Sequence, residues 1–210
     1  MSAAPNSIRV LAADDHPIFR QGIAGLLTAQ SDMCLVAEAA NGQEAIQQFR
    51  AHHPDVTVMD LQMPGMDGLD ATIAIRGEYP DARIIVLTMY KGDALVLRAL
   101  KSGARGYLLK TSLHKELVDA IRAVHAGQKI LSSEASFQLA EHADDDALTP
   151  AEIRVLRLIA EGYANKEIGA QLSISEETIK SQVRSILSKL NTHDRTHAAM
   201  IGLRRGIIEL

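Results

Sequence analysis

The stretch Asp55-Val-Thr-Val-Met-Asp60-Leu-Gln-Met-Pro64-Gly-Met-Asp-Gly68 decides the fold. A short apolar run rich in β-branched residues ends in a carboxylate, and Pro64, Gly65 and Gly68 follow at once. That pattern reads as a buried strand whose C-terminal tip delivers Asp60 to a loop. In open α/β sheets ligands lie outside the carboxyl ends of the strands, which puts Asp60 where chemistry takes place. On its own, such an Asp more often caps the turn or helix that follows. Three other strand ends decide between the two.

Working outward, residues 8 to 127 alternate strand-like runs with helical periodicity. Ile8-Arg-Val-Leu-Ala-Ala13 reads as a strand entering Asp14-Asp15-His16-Pro17. Pro17 opens a helix whose Phe19, Ile23, Leu26 and Leu27 recur at helical spacing. Cys34 to Glu38 is a second strand and residues 42–52 a second helix. Arg83 to Thr88 and Gly106 to Lys110 follow the Asp60 strand as the fourth and fifth, and the last helix spans about 113–126. Five strands alternating with helices predict a five-stranded parallel sheet covered on both faces.

Read together, the strand ends carry Asp14-Asp15, Asp60, Thr88 and Lys110 to one edge of that sheet. Clustered carboxylates are costly unless a cation sits among them. Mg²⁺ suits a few carboxylates plus waters and phosphate oxygens, and Lys110 adds a point charge of the kind that holds a phosphoryl group. The set fits a carboxylate that attacks a phosphodonor while metal and lysine neutralise the group in flight. His16 beside the acidic pair reads as a metal ligand, a phosphate relay or simply a loop histidine facing solvent.

These residues resemble the receiver domain of two-component response regulators, a doubly wound, flavodoxin-like fold. The resemblance implies that Asp60 is the phospho-acceptor, and that Asp15, Asp14 (partly through water), Asp60 and the Gln62 carbonyl hold Mg²⁺. It implies that Thr88, Tyr107 and Lys110 are the switch hydroxyl, switch aromatic and phosphate-binding lysine. Pro64 and Gly68 match the turn after the acceptor, and Gln62 and Tyr90 occupy positions that tune phosphoryl lifetime.

Composition agrees. At 210 residues the chain has room for two modest domains, and no apolar run approaches the roughly 20 residues that span a bilayer. The N-terminus lacks a basic segment followed by an apolar core, and the single cysteine, Cys34, has no internal partner. Cytoplasmic residence is the expectation. From Ala147 onward nine Lys/Arg face seven Asp/Glu, against thirteen and nineteen before it, so the formal charge of −4 divides into +2 and −6. An acidic first part and a mildly basic second part suit different partners.

Residues 128–146 read as a linker, with a short helix around Glu134–Glu141 and the acidic run Asp144-Asp-Asp146. From Leu148 the period is helical throughout. Thr149-Pro150 with Glu152 three residues after the threonine forms a capping box, and that helix ends at Gly162. Residues 165–172 form a second helix, Ser173-Ile-Ser175 a tight turn, and Ser175 caps a third. Ile179, Val183, Ile186, Leu187 and Leu190 face inward there, while Lys180, Ser181, Arg184 and Ser188 face out. On spacing alone this fits a major-groove reader and a plain helical module with a solvated face equally well.

Leu148-Thr-Pro-Ala-Glu152, Asn165-Lys-Glu-Ile168, Ile174 to Lys180 and Lys189-Leu190 resemble the LuxR-type helix-turn-helix of NarL/FixJ-type regulators. The resemblance implies a small four-helix domain over residues 147–210, after a receiver over 7–127. It implies base and backbone contacts from Lys180, Ser181 and Arg184, and phosphate or sugar contacts from Asn165, Lys166, Thr178 and Lys189. A response regulator transcription factor follows, with a sensor histidine kinase and double-stranded DNA as partners and a homodimer when active. Ala164, Gln182 and Thr192 depart from the usual pattern. In the last helix Ala199, Leu203 and Ile207 form one stripe, with Ala198, Ile201 and Ile208 nearer the other side. One stripe serves the core; the other meets a second copy, as the resemblance implies, or the first domain. A phosphatase with Asp60 as nucleophile would want a second Asp where Gln62 stands, and a phosphorylation-independent adaptor would not need every acidic and basic position filled.

Overall fold

The structure, a computed structural model, describes residues 7–89, 92–142 and 146–208, with the Glu141 side chain outside that set. Tyr90 and part of the acidic run, Asp144 and Asp145, fall outside the described residues. Two compact units emerge, one built on a sheet through Met89 and over Val96–Ser136, the other built on helices from Phe137 onward.

In chain order the elements are β1 (Ile8–Ala13), α1 (Pro17–Thr28), β2 (Met33–Ala39), α2 (Gly42–His52), β3 (Val56–Asp60) and α3 (Gly68–Glu78). They continue with β4 (Ile84–Thr88), α4 (Asp93–Lys101), β5 (Gly106–Leu109), a 3₁₀ turn over Lys110–Ser112, α5 (Leu113–His125) and β6 (Ile130–Leu131). The strands lie in the order β2-β1-β3-β4-β5-β6, and every pairing is parallel. This is the flavodoxin-like order with one strand more than the five expected. β6 spans two residues, too few to show a period, and is held by Ile130 N–H to the Arg105 carbonyl and Ser132 N–H to that of Tyr107.

Alternation along the strands divides the core into two layers. Val10 and Ala12 of β1 join Ile23 and Leu27 of α1 and Leu117, Ile121 and Val124 of α5. Leu11 and Ala13 point the other way, to Ala45, Ile46 and Phe49 of α2 and Ala71 and Ile75 of α3. A one-residue register slip would exchange these layers, so burial fixes the register. Local signals agree: Asn41 caps α2 by accepting from the Glu44 N–H at 2.9 Å, and Asp67 caps α3 by accepting from Asp70 at 2.7 Å.

The reversal of strand order falls at β1, between β2 and β3, so the carboxyl ends of β1 and β3 border the crevice where such sheets bind ligands. Gly68 starts α3 directly against the Asp60 backbone. A Cβ there would lie 1.8 Å from the Asp60 carbonyl oxygen, so only glycine allows this approach.

The stretch expected as linker carries β6 and α6 (Ser133–Glu141). Beyond it come α7 (Pro150–Ala160), α8 (Asn165–Leu172), α9 (Glu176–Lys189) and α10 (Arg195–Arg204). Val155, Ile159, Ile168, Ile179, Ile186 and Ala198 bury into their shared core. The expected capping box is present on α7, and Ser175 caps α9 by accepting from Thr178 N–H at 3.1 Å. Ser173, at φ 57°, makes the left-handed stop that lets α8 turn tightly into α9. The last helix, α10, stops at Arg204, short of the expected Ile208, and both of its stripes serve this one core. Ala198, Ala199 and Ile201 are buried and Leu203 half-buried against it, and just past the helix end Ile208 is buried and Ile207 half-buried there too. Its exposed apolar residue is Met200. Thr192, where an aliphatic was usual, is buried with its hydroxyl 3.0 Å from His197 Nδ1, so the hydroxyl is satisfied rather than orphaned.

Candidate functional site

The strand ends bring together the residues the sequence singles out. Asp14 leaves β1, Asp60 ends β3, Thr88 ends β4, and Lys110 follows β5 in the 3₁₀ turn. All four are buried, Asp14 completely. The Lys110 ammonium lies 2.7 Å from Asp14 Oδ2 and 2.8 Å from Asp60 Oδ2. It donates a hydrogen bond to Asp60, whereas its approach to Asp14 Oδ2 lacks hydrogen-bond geometry and is a charge contact only. The Gln62 N–H reaches the other Asp60 oxygen at 3.3 Å.

One ammonium faces two buried carboxylates, and the electrostatics record the imbalance. Burial pushes the Asp60 carboxyl up to about 6, Lys110 opposes that shift, and the Asp14 charge adds to it. The folded carboxyl therefore holds its proton between the ordinary 3.8 and about 6, where the unfolded one has lost it. Stability falls as pH rises through that window, by about 3 kcal/mol once complete at 1.36 kcal/mol per pH unit. Asp60→Asn removes this cost. In metal-free protein, denaturant unfolding should show the variant more stable than wild type at pH 7.5, with the gap nearly closed at pH 4.

Asp14, Asp15, His16 and Asp60 each present a ligand atom within 4.8 Å of the others. The His16 N–H donates to Asp14 Oδ1 at 2.9 Å, and its Nδ1 sits 2.6 Å from Asp15 Oδ1. Asp14 Oδ2, buried and without a hydrogen-bond donor, has lone-pair capacity that the protein does not fill. Four ligand atoms this close, with a carboxylate oxygen among these residues that accepts no hydrogen bond and meets only the Lys110 charge, fit a hard divalent cation. Behind the pocket, Tyr107 is wholly buried and its hydroxyl bonds to Thr88; burial raises the phenol above its ordinary value, against that bond. A buried tyrosine hydroxyl needs such a partner, which couples the β4 and β5 side chains.

In the second unit α9 exposes Thr178, Lys180, Ser181 and Arg184 along one face, and α8 exposes Lys166. Lys180 leans on Glu176 at 3.2 Å and Glu177 at 3.7 Å, an exposed pairing that a stronger anion can displace. Asn165 is half-buried, its Oδ1 3.4 Å from an Arg195 guanidinium nitrogen.

Residues 10–122 match the family described as the response regulator receiver domain, and residues 146–201 match the luxR family of bacterial regulatory proteins. The chain belongs to the response regulator family. It is similar to the transcriptional regulatory protein LiaR of Bacillus subtilis, with 43% identity over 96% of this chain and 99% of that one. It is also similar to the response regulator protein VraR of Staphylococcus aureus, at 38% over 97% and 100% respectively. Among solved structures it resembles RcsB from Salmonella enterica serovar Typhimurium bound to promoter P1flhDC in the presence of phosphomimetic BeF3-, with TM-score 0.75, 33% identity and coverage of 96% and 100%. The chain is thus a response regulator transcription factor, with a receiver and a LuxR-type helix-turn-helix.

Two features of this response regulator escaped the sequence reading. Lys189, expected at DNA phosphate, places its ammonium 2.9 Å from Glu152 Oε2 and 3.2 Å from the Ala147 carbonyl oxygen. Ser185 donates to Glu152 Oε1 at 2.6 Å, so the capping-box glutamate also ties α7 to α9. Burial works against the Glu152 charge, but Ser185, the Thr149 N–H and Lys189 outweigh it and bring the carboxyl down to about 2. The contribution is full above the ordinary 4.5 and is lost as pH falls toward about 2. Glu152→Gln should cost the second unit about 1.5–3 kcal/mol at pH 7, the worth of a hydrogen bond to a charged group, and less at pH 3. Thermal unfolding at the two pH values checks this. The periodicity shows Glu152 as a cap and Lys189 as an exposed charge; only the tertiary packing joins them.

Proposed function

We propose that Asp60 accepts a phosphoryl group from a sensor histidine kinase or a small phosphodonor, and that this controls dimerisation and sequence-specific DNA binding. The Lys110 ammonium shared between the Asp14 and Asp60 carboxylates carries this reading, because it puts positive charge beside the one carboxylate that ends β3. One Asp60 oxygen attacks phosphorus as the bond to the donor's leaving atom breaks (an imidazole nitrogen of a phosphohistidine, or a carboxylate oxygen of a small acyl phosphate), and an acyl phosphate forms on Asp60. The ionised carboxyl is the nucleophile, so its elevated value makes it a better base than an exposed aspartate while leaving it mostly charged at neutral pH. Lys110 is placed to hold a phosphoryl oxygen, and Asp14, Asp15, Asp60 and the Gln62 carbonyl would hold Mg²⁺, which when bound offsets the charge of the transferring group.

Phosphorylation replaces the single charge of the Asp60 carboxylate with a phosphoryl group carrying about 1.5–2 negative charges. The Thr88 hydroxyl turns toward a phosphoryl oxygen and leaves Tyr107, so a fully buried phenol must find another partner, and the signal leaves along β4 and β5. In the helix-turn-helix, Lys180, Ser181 and Arg184 read the major groove, while Lys166, Thr178 and Asn165 meet phosphate or sugar. Lys189 acts through Glu152 by bracing α9. The receiver spans 7–127 with β6 as an added edge strand on its sheet, the rest of 128–146 is the linker, and the DNA-binding domain spans 147–210. The chemistry is confined to Asp60 itself, the active form is a homodimer, and the protein works in the cytoplasm.

The test is direct mapping of the modification. After incubation with acetyl phosphate and Mg²⁺, peptide mass spectrometry should place the acyl phosphate on the peptide bearing Asp60. Labelling confined to other carboxylates would contradict the assignment.

A further inference from the structure

Phe19 opens the apolar stripe of α1, yet it does not pack where the stripe leads. Ile23 and Leu27 are buried in the core layer under α1 and Leu26 packs against it, whereas Phe19 belongs to neither core layer. Its ring lies at the site instead. The Lys110 ammonium sits 4.5 Å from the ring centroid, well within cation–π range. The ring also meets that of His16 edge-on, with centroids 6.0 Å apart and planes at 83°. Lys110 is thus held by three partners: Asp14, Asp60 and the Phe19 face.

We infer that Phe19 is a positioning residue for Lys110, holding the ammonium at the phosphorylation site through the aromatic face. The inference rests on Asp60 being the acceptor. The three partners differ in what the reaction does to them. Formation of the acyl phosphate removes the charge of the Asp60 oxygen that forms the new bond and offers Lys110 a phosphoryl oxygen in its place. Asp14 meets the ammonium by charge at 2.7 Å without a hydrogen bond. The ring of Phe19 is unchanged by the reaction, so it keeps Lys110 over the pocket while the anionic partner changes from carboxylate to phosphoryl oxygen. An aliphatic side chain of similar size fills the same half-buried space without a negative π face.

The experiment compares wild type, Phe19→Leu and Phe19→Tyr in the full chain, using acetyl phosphate with Mg²⁺. It reads the initial rate of phosphoryl incorporation and, by circular dichroism, the melting temperature of each protein. Phe19→Leu should be slower by roughly threefold to tenfold, the range that a partly desolvated cation–π contact represents, at a melting temperature close to wild type. Phe19→Tyr, which keeps the face, should stay within about twofold. Equal rates for wild type and Phe19→Leu would overturn the inference, as would equal losses in both variants. Absence of incorporation in wild type would instead remove the Asp60 assignment, and this inference with it.

Discussion

Asp60→Asn should lose phosphoryl incorporation from acetyl phosphate almost entirely, by on the order of a thousandfold or more, as expected when the nucleophile itself is deleted. The amide keeps the size of the carboxyl and can accept from Lys110, which lies 2.8 Å from Asp60 Oδ2, so the loss is chemical rather than structural. Neighbouring acids do not substitute. Asp14 lies wholly buried against Lys110, and Asp15 bonds to His16, so neither offers the oxygen that ends β3 beside the ammonium. Intact-mass measurement over time checks the rate, and the predicted gain in stability of the same variant at pH 7.5 shows that it is folded. A variant that still labels at the wild-type rate would move the acceptor elsewhere.

The second large effect lies on α9. Arg184→Ala should weaken binding to a cognate operator by about 1–3 kcal/mol, roughly tenfold to a hundredfold, and relax the preference at one base position. Arg184 is exposed on the same face as Lys180 and Ser181, one helical turn from Lys180, so it can enter a groove without rearranging the core. Lys180→Ala should cost less, because the free protein gives up its pairs with Glu176 and Glu177 to bind DNA. Lys189→Ala should act differently. It unties Glu152, so it should lower the melting temperature of the second unit along with DNA affinity, whereas Arg184→Ala should leave that temperature unchanged. Fluorescence anisotropy at two salt concentrations, with thermal unfolding alongside, separates the two behaviours.

Much of the first unit was legible because its strands are short apolar runs that end in functional side chains. The chain alternates so regularly from Ile8 onward that a parallel sheet covered on both faces followed from the period, and the flavodoxin-like order came with the family resemblance. β6 was not legible, because a two-residue strand has no period and exists only through its pairing with β5. The acidic pocket could be predicted as a set, but not the lopsided contact of Lys110, which bonds Asp60 and only approaches Asp14. Phe19 misled for a physical reason: helical spacing gives the angle at which a side chain leaves the helix, and at the first turn of α1 that angle points past the core toward Lys110. In the second unit the turn, the caps and the inward stripe of α9 were readable. The dual use of Glu152, as a cap and as an anchor for Ser185 and Lys189, needed two helices in place.

Shifting a two-state protein from 1:99 to 99:1 takes about 5.5 kcal/mol of differential stabilisation. On the proposed mechanism a single phosphoryl group exchanging contacts among Lys110, Thr88 and Tyr107 would supply part of that, and dimer and DNA contacts would supply the remainder. Phosphorylation should therefore strengthen operator binding rather than create it from nothing.

The most direct test is selection from random DNA pools by wild type and Asp60→Asn, each with and without acetyl phosphate and Mg²⁺. Wild type should enrich a two-half-site sequence, more strongly with phosphodonor, and Asp60→Asn should enrich the same sequence with no response to it. Equal enrichment by wild type with and without phosphodonor, or no enrichment in any state, would contradict control of DNA binding through Asp60.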